Sequence, residues 1–160
     1  MSLAYAELDV ETLGGPFEPW YNCTVMRRKP IVIDTSVVIA VVTGEGHRAA
    51  LIRATRGLEL LAPASLPAEV GNAFSAMCRR GRISLAEATA AVAAFEKIPL
   101  RLIALELETA LSLAHDLAIY AYDAYAIGCA LAQGAPLLTL DDGQRAAAVR
   151  AGSTVVELTS

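Results

Sequence analysis

No apolar run in this sequence approaches the ~20 residues that a membrane-spanning helix needs. The nearest candidate, Ile31 to Val42, is broken by Asp34-Thr35-Ser36. A secretory leader is not expected either: the first thirty residues carry Glu7, Asp9, Glu11 and Glu18 and lack a basic start followed by an apolar core. Cysteine is scarce. Cys23, Cys78 and Cys129 are odd in number, far apart and never in a C-x-x-C spacing, which argues against a disulfide framework and for free thiols. The sequon Asn22-Cys23-Thr24 would matter only in a secreted protein. A cytoplasmic protein with no membrane partner is the simplest reading. Histidine is also rare: His47 and His115 stand singly, away from any acidic motif, and read as surface or structural residues.

The chain also lacks a strong charge excess. Its formal net charge is −4, which argues against broad electrostatic capture of nucleic acid. The distribution softens that objection. Of 17 acids, four precede Met26 in a stretch without Lys or Arg, leaving 13 acids against 13 bases in the remainder. A neutral body with a local basic patch still binds a phosphate backbone.

What remains is a chain of 160 residues, 55% hydrophobic and 19% charged, which suits one compact domain. Residues 1 to about 28 lack periodicity, contain Gly14-Gly15-Pro16 and Pro19, and read as an irregular N-terminal extension. Two readings of it stay open, since Met26-Arg27-Arg28-Lys29 would serve equally well as a start. Residues 29–160 form the expected domain, in which strand and helix signals alternate. Ile31–Ile33, Leu58–Ala62, Arg101–Leu105, Leu137–Leu140 and Thr154–Leu158 read as short strands. Helices are expected over 35–42, 45–56, 67–80, 84–97, 107–118, 122–133 and 142–151, the fourth opened by the capping box Ser84-x-x-Glu87. Such alternation predicts an α/β fold with a short, mostly parallel central sheet flanked by helices on both faces.

Four acids then stand out by position. Asp34 follows strand Ile31–Ile33, and Asp141 follows Leu137–Leu140. Glu69 lies in the first turn of the helix after the second strand, and Asp123 opens a helix. Open parallel sheets bind ligands beyond the carboxyl ends of their strands. Parallel strands would therefore put Asp34, Glu69 and Asp141 on one edge, with Asp123 joining if its helix starts there. Singly, each acid is explained by capping or by the helix dipole, and Asp141 with Gln144 even has capping-box spacing. Jointly, clustered carboxylates with no Lys or Arg partner repel, and such a cluster persists best around a cation. An all-oxygen ligand set selects a hard ion, Mg²⁺ or Mn²⁺. A bound ion of that kind activates water for phosphodiester hydrolysis.

The segments Ile33-Asp34-Thr35-Ser36-Val37, Pro67-Ala68-Glu69-Val70-Gly71-Asn72, Tyr122-Asp123-Ala124-Tyr125-Ala126 and Leu138-Thr139-Leu140-Asp141 together resemble the PIN domain. In particular they look like VapC-type toxins of bacterial toxin–antitoxin pairs. The likeness spans residues 31–158 and keeps the family's motif order. It implies that Asp34, Glu69, Asp123 and Asp141 hold the metal, with Ser36 and Thr139 as nearby hydroxyls and Asn72 as the companion of Glu69. It further implies an RNA-cleaving endonuclease, a homodimer, and silencing by a cognate antitoxin whose tail enters the active-site groove. Asp142, adjacent to Asp141, competes for the fourth ligand position, and Asp141 is preferred because it follows the strand directly.

Other residues are weaker candidates. Arg79, Arg80 and Arg82 form the best basic cluster, either compensating a helix C-terminus or contacting RNA backbone. Arg48, Arg53 and Arg56 are a second such patch with less support. Tyr122 and Tyr125 read as packing residues, one of them a candidate for stacking on a base. Two alternatives compete with the nuclease. A phosphotransferase of the haloacid-dehalogenase type also carries an Asp after its first strand, but wants a second acid two residues later, where this chain has Ser36. A catalytically silent PIN-like module that binds RNA or protein would have lost a carboxylate, and none of the four is missing.

Overall fold

A computed structural model describes residues 28–158. The N-terminal segment expected to be an irregular extension, with Cys23 and the Asn22 sequon, lies almost wholly outside the described residues. The strands are β1 (Pro30–Ile33), β2 (Glu59–Pro63), β3 (Leu100–Ile103) and β4 (Leu137–Leu138). Between them run α1 (Thr35–Thr43), α2 (Arg48–Thr55), α3 (Leu66–Arg79), α4 (Leu85–Phe95), α5 (Leu107–Leu117) and α6 (Ala121–Gln133), and α7 (Asp142–Arg150) follows β4.

The strands pair in the order β3-β2-β1-β4, every pair parallel. Both faces of the sheet are covered, which is why its strands read as continuous apolar runs. Side chains alternate across it: Ile31 and Ile33 of β1 and Ala62 of β2 join a core with α1, α2, α3 and α4. Val32 and Leu61, one residue out of phase, join a second core with α6 and α7. The chain winds outward through β2 and β3, then returns to place β4 on the free side of β1. That reversal between β1 and β4 is the topological switch point, where parallel sheets open a crevice.

Local signals explain most element ends. The Ser84–Glu87 capping box forms reciprocally, with Glu87 N–H on Ser84 Oγ at 3.2 Å and Ser84 N–H on Glu87 Oε2 at 2.7 Å. α6 ends on Gly134 at φ 57°, a left-handed cap that glycine adopts without strain. Three expectations shift. The helix expected from residue 45 begins only at Arg48, because residues 45–47 form a turn in which Arg48 N–H donates to Glu45 O at 2.9 Å. The strand expected over 137–140 ends at Leu138, since Leu140 N–H turns to Ser36 Oγ at 2.9 Å instead of joining a ladder. The final strand Thr154–Leu158 reduces to a single parallel bridge, Leu137 with Val155.

Two glycines, one capping a helix and one inside a helix, should respond oppositely to alanine. Gly134→Ala forces a Cβ into left-handed backbone and should cost about 1 kcal/mol. Gly71→Ala, in the interior of α3 with nothing within 4 Å of the added methyl, should gain up to about 1 kcal/mol. Urea melts of the two variants read the difference, and shifts of the same sign would contradict these assignments.

Candidate active site

Asp34 closes β1 and caps α1. Its Oδ1 accepts the Val37 N–H at 3.1 Å, so the ordinary capping explanation holds. Capping does not account for the rest of its surroundings. The carboxylate is buried, with Ser36 Oγ donating to Oδ1 at 2.7 Å and Thr139 Oγ1 donating to Oδ2 at 2.8 Å. Each hydroxyl also accepts a backbone N–H from the β4–α7 junction. Leu140 N–H reaches Ser36 Oγ at 2.9 Å, and Asp141 N–H reaches Thr139 Oγ1 at 3.0 Å. Ser36 and Thr139 thus tie the β1–α1 junction to the β4–α7 junction through one carboxylate.

The other acids arrive from separate elements. Glu69 sits in the first turn of α3, its Oε2 accepting from Thr35 Oγ1 and its Oε1 from Ser65 Oγ, both at 2.7 Å. Asp123 lies in the first turn of α6. Asp141 caps α7, accepting Gln144 N–H at 2.8 Å. Only half of the expected capping box forms there: the Gln144 side chain turns away from the Asp141 backbone, whose N–H is held by Thr139, and places Nε2 3.5 Å from Asp123 Oδ1. Gly143 lets the loop close on this carboxylate, since a Cβ there would lie 3.1 Å from Asp141 Oδ1.

Electrostatics show that the four acids share a neighbourhood. Burial pushes the Asp34 carboxyl above the ordinary carboxylate range; hydrogen bonds from Ser36, Val37 and Thr139 oppose that, and the Asp141 charge adds to it. Asp123 is raised first by burial, then by the charges of Asp141 and Glu69. Among the described residues, neither ion pair includes any of these four acids: Arg101 pairs with Glu59 and Arg145 with Asp142. Asp142 points outward, its side chain 91% exposed, although β4 ends at Leu138 and Asp141 therefore does not follow the strand directly as expected.

The donor chemistry fits a hard divalent cation: four carboxylates, adjacent hydroxyls and an amide, with no paired base to neutralise them. Among the described residues no three His, Cys, Asp or Glu side chains converge tightly enough to ligate one ion directly. Mg²⁺ does not need three, because it keeps several waters and takes one or two carboxylates alongside substrate phosphate.

Several expected participants are elsewhere. Asn72 is exposed and makes no hydrogen bond among the described residues, so the structure does not join it to Glu69. Arg79, Arg80 and Arg82 are exposed at and just beyond the far end of α3, with Arg79 ten residues and thus about 15 Å along the axis from Glu69. Tyr122, expected to pack, is 58% exposed, because the first turn of α6 projects beyond the core. His47 and His115 are exposed, as anticipated. Cys78 is free and partly buried, and burial pushes the Cys129 thiol up to about 11, leaving it inert. Sequence reasoning missed Thr35 and Ser65 as partners of Glu69, and the buried Gln144 as a neighbour of Asp123. Thr35 was legible in principle, being beside Asp34; the other two depend on how α3 and α7 pack.

A parallel α/β domain with four acids drawn to its switch point is the class that fold and site define. The chain belongs to the PIN domain family, a family of nucleases, which it matches over residues 31–150. Its fold is similar to PAE2754 from Pyrobaculum aerophilum, with 24% identity, TM-score 0.60, and coverage of 81% of this chain and 86% of that one. It is also similar to the sarcin-ricin loop cleaving toxin VapC20 of Mycobacterium tuberculosis, at 18% identity and TM-score 0.57, covering 79% of this chain and 98% of that one. VapBC2 from Rickettsia felis, solved with a DNA fragment from its promoter, aligns at 13% identity and TM-score 0.58 over 80% of this chain and 97% of that one. No curated protein matches the sequence. Family membership removes the haloacid-dehalogenase alternative.

Two consequences are measurable without substrate. Thr139→Val removes a donor to the buried Asp34 and orphans the Asp141 N–H, so it should cost about 1–3 kcal/mol, with Thr139→Ser restoring most of it. Denaturant unfolding of the pair checks this. The second concerns pH. Asp123 has its folded-state pKa raised above the ordinary 3.8, so the folded protein binds that proton more tightly. Stability is therefore lost as pH rises through that window, and none is regained at neutral pH. Metal-free Asp123→Asn should melt above metal-free wild type at pH 7, by less than about 1 kcal/mol after solvent screening, and fall less steeply between pH 4 and 7. A variant less stable than wild type at pH 7 would make Asp123 a structural residue.

Proposed function

We propose that this protein is a divalent-metal-dependent endoribonuclease, the toxin of a VapBC-type toxin–antitoxin pair. The observation that supports it best is the gathering of unpaired carboxylates from β1, α3, α6 and the β4–α7 junction at one switch point. Mg²⁺ or Mn²⁺ would be held by Asp34, Glu69, Asp123 and Asp141, directly or through water, and when bound it lowers the pKa of a water and stabilises the leaving oxygen. Ser36 and Thr139 keep Asp34 oriented through the hydrogen bonds they donate to it. Thr35 and Ser65 do the same for Glu69, leaving a lone pair on each of its oxygens. Arg145, on the first turn of α7 with Nη2 3.4 Å from Thr139 O, is a candidate for substrate phosphate beside Arg79, Arg80 and Arg82.

A cognate antitoxin is the natural protein partner for such an activity. An apolar cleft of about 270 Å³ between α1, α2 and the end of α4, lined by Val37, Val41, Leu51, Ile52 and Ile98, suits an apolar segment of it. Homodimerisation is supported by Leu107 and Leu111, one turn apart on α5, and by Leu131 of α6, all exposed. The free thiols suit the cytoplasm, and among the described residues no helix is long and apolar enough to cross a membrane.

Total RNA incubated with Mg²⁺, with Mn²⁺ and with EDTA tests the activity, and cleavage should require metal. Asp34→Asn, Glu69→Gln, Asp123→Asn and Asp141→Ala should each lose roughly 100-fold or more, at least the upper range for losing a metal's supporting partner. Asp142→Ala should keep most activity. Cleavage undiminished in EDTA would overturn the metal assignment; full activity in Asp141→Ala with loss in Asp142→Ala would exchange the two acids.

A further inference from the structure

Gln144 is the one buried side chain at the crevice that stability does not explain. It is 5% exposed, yet its amide makes a single long hydrogen bond, Nε2 to Asp123 Oδ1 at 3.5 Å, and its Oε1 has no partner among the described residues. Burying a carboxamide on those terms is unfavourable. A hydrophobic residue of the same length would pack between α6 and α7 without that cost. Departures from such local rules concentrate at functional sites.

Its position supplies the reason. Through its backbone Gln144 donates to Asp141 at 2.8 Å, and through its side chain it donates to Asp123, so one neutral residue touches both carboxylates. Those carboxylates come from different elements and repel one another. We propose that Gln144 is a positioning residue, a neutral clamp that holds Asp123 beside Asp141 so that a divalent cation finds both together. The length of a glutamine suits that role, because α7 begins one residue past Asp141 and the amide must reach from the third residue of that helix to the first turn of α6. A Lys or Arg here would neutralise the acids and displace the cation, and a Glu would add a third charge.

The inference rests on the metal-centre reading above, and the test separates the two. Gln144→Met keeps length and burial but removes the donor. Mn²⁺ affinity, by calorimetry, and metal-free melting are measured for wild type and variant. We expect the variant to fold, to melt at or above the wild-type temperature without metal, and to bind Mn²⁺ about tenfold more weakly or worse, as loss of an outer partner does. Unchanged affinity in the variant, with wild type binding Mn²⁺, would overturn the clamp and leave the metal centre standing. No Mn²⁺ binding by wild type would overturn the metal centre and the clamp with it. Should Gln144→Met fail to fold, Gln144→Asn, which keeps the amide but shortens its reach, is judged by the same two outcomes.

Discussion

The arrangement of this domain turns on one buried carboxylate. Asp34 sits where β1 hands over to α1, and burial of its charge is partly offset by donors from both sides of the switch point. Ser36 and Val37 belong to the helix it caps; Thr139 directly follows β4, the strand that returns last in the chain. Because the two hydroxyls also receive N–H groups from residues 140 and 141, the loop that carries Asp141 is set by the group that caps α1. Charge-assisted hydrogen bonds of this kind are among the stronger contributions available, at about 1.5–3 kcal/mol each. Fold closure and site geometry are therefore the same set of contacts.

That coupling explains why the crevice tolerates its own repulsion. Asp34 and Glu69 have both oxygens occupied by hydroxyl or backbone donors, which spreads their charge without neutralising it. Asp123 and Asp141 are less well supported, and Asp123 carries the repulsion from two sides. Neutral donors can hold anions in place while leaving them attractive to a cation, whereas a lysine or arginine would satisfy them permanently. The basic residues accordingly pair elsewhere or lie away, with Arg145 on Asp142 rather than on any of the four acids and the Arg79–Arg82 cluster at the opposite end of α3.

Much of this was legible in the chain because it depends on local chemistry. The apolar triplet Ile31–Ile33 followed by Asp34 defines a buried parallel strand with a carboxylate at its carboxyl end, and Gly134 and the Ser84–Glu87 box mark helix ends through backbone rules alone. The proposal of the four acids, in their order, came from residues 31–141 read as a line. Strand order, the partition of side chains into two cores and the reversal beside β1 depend on which surfaces meet. The loss of a full last strand, the half-formed cap at Asp141 and the exposure of Tyr122 and Asn72 are of that second kind. Two contacts distant in sequence decide the geometry around Asp141: Ser36 takes the Leu140 N–H, and Asp123 takes the amide of Gln144. Spacing along a chain specifies which groups a residue offers; only the packed structure decides which of them are taken.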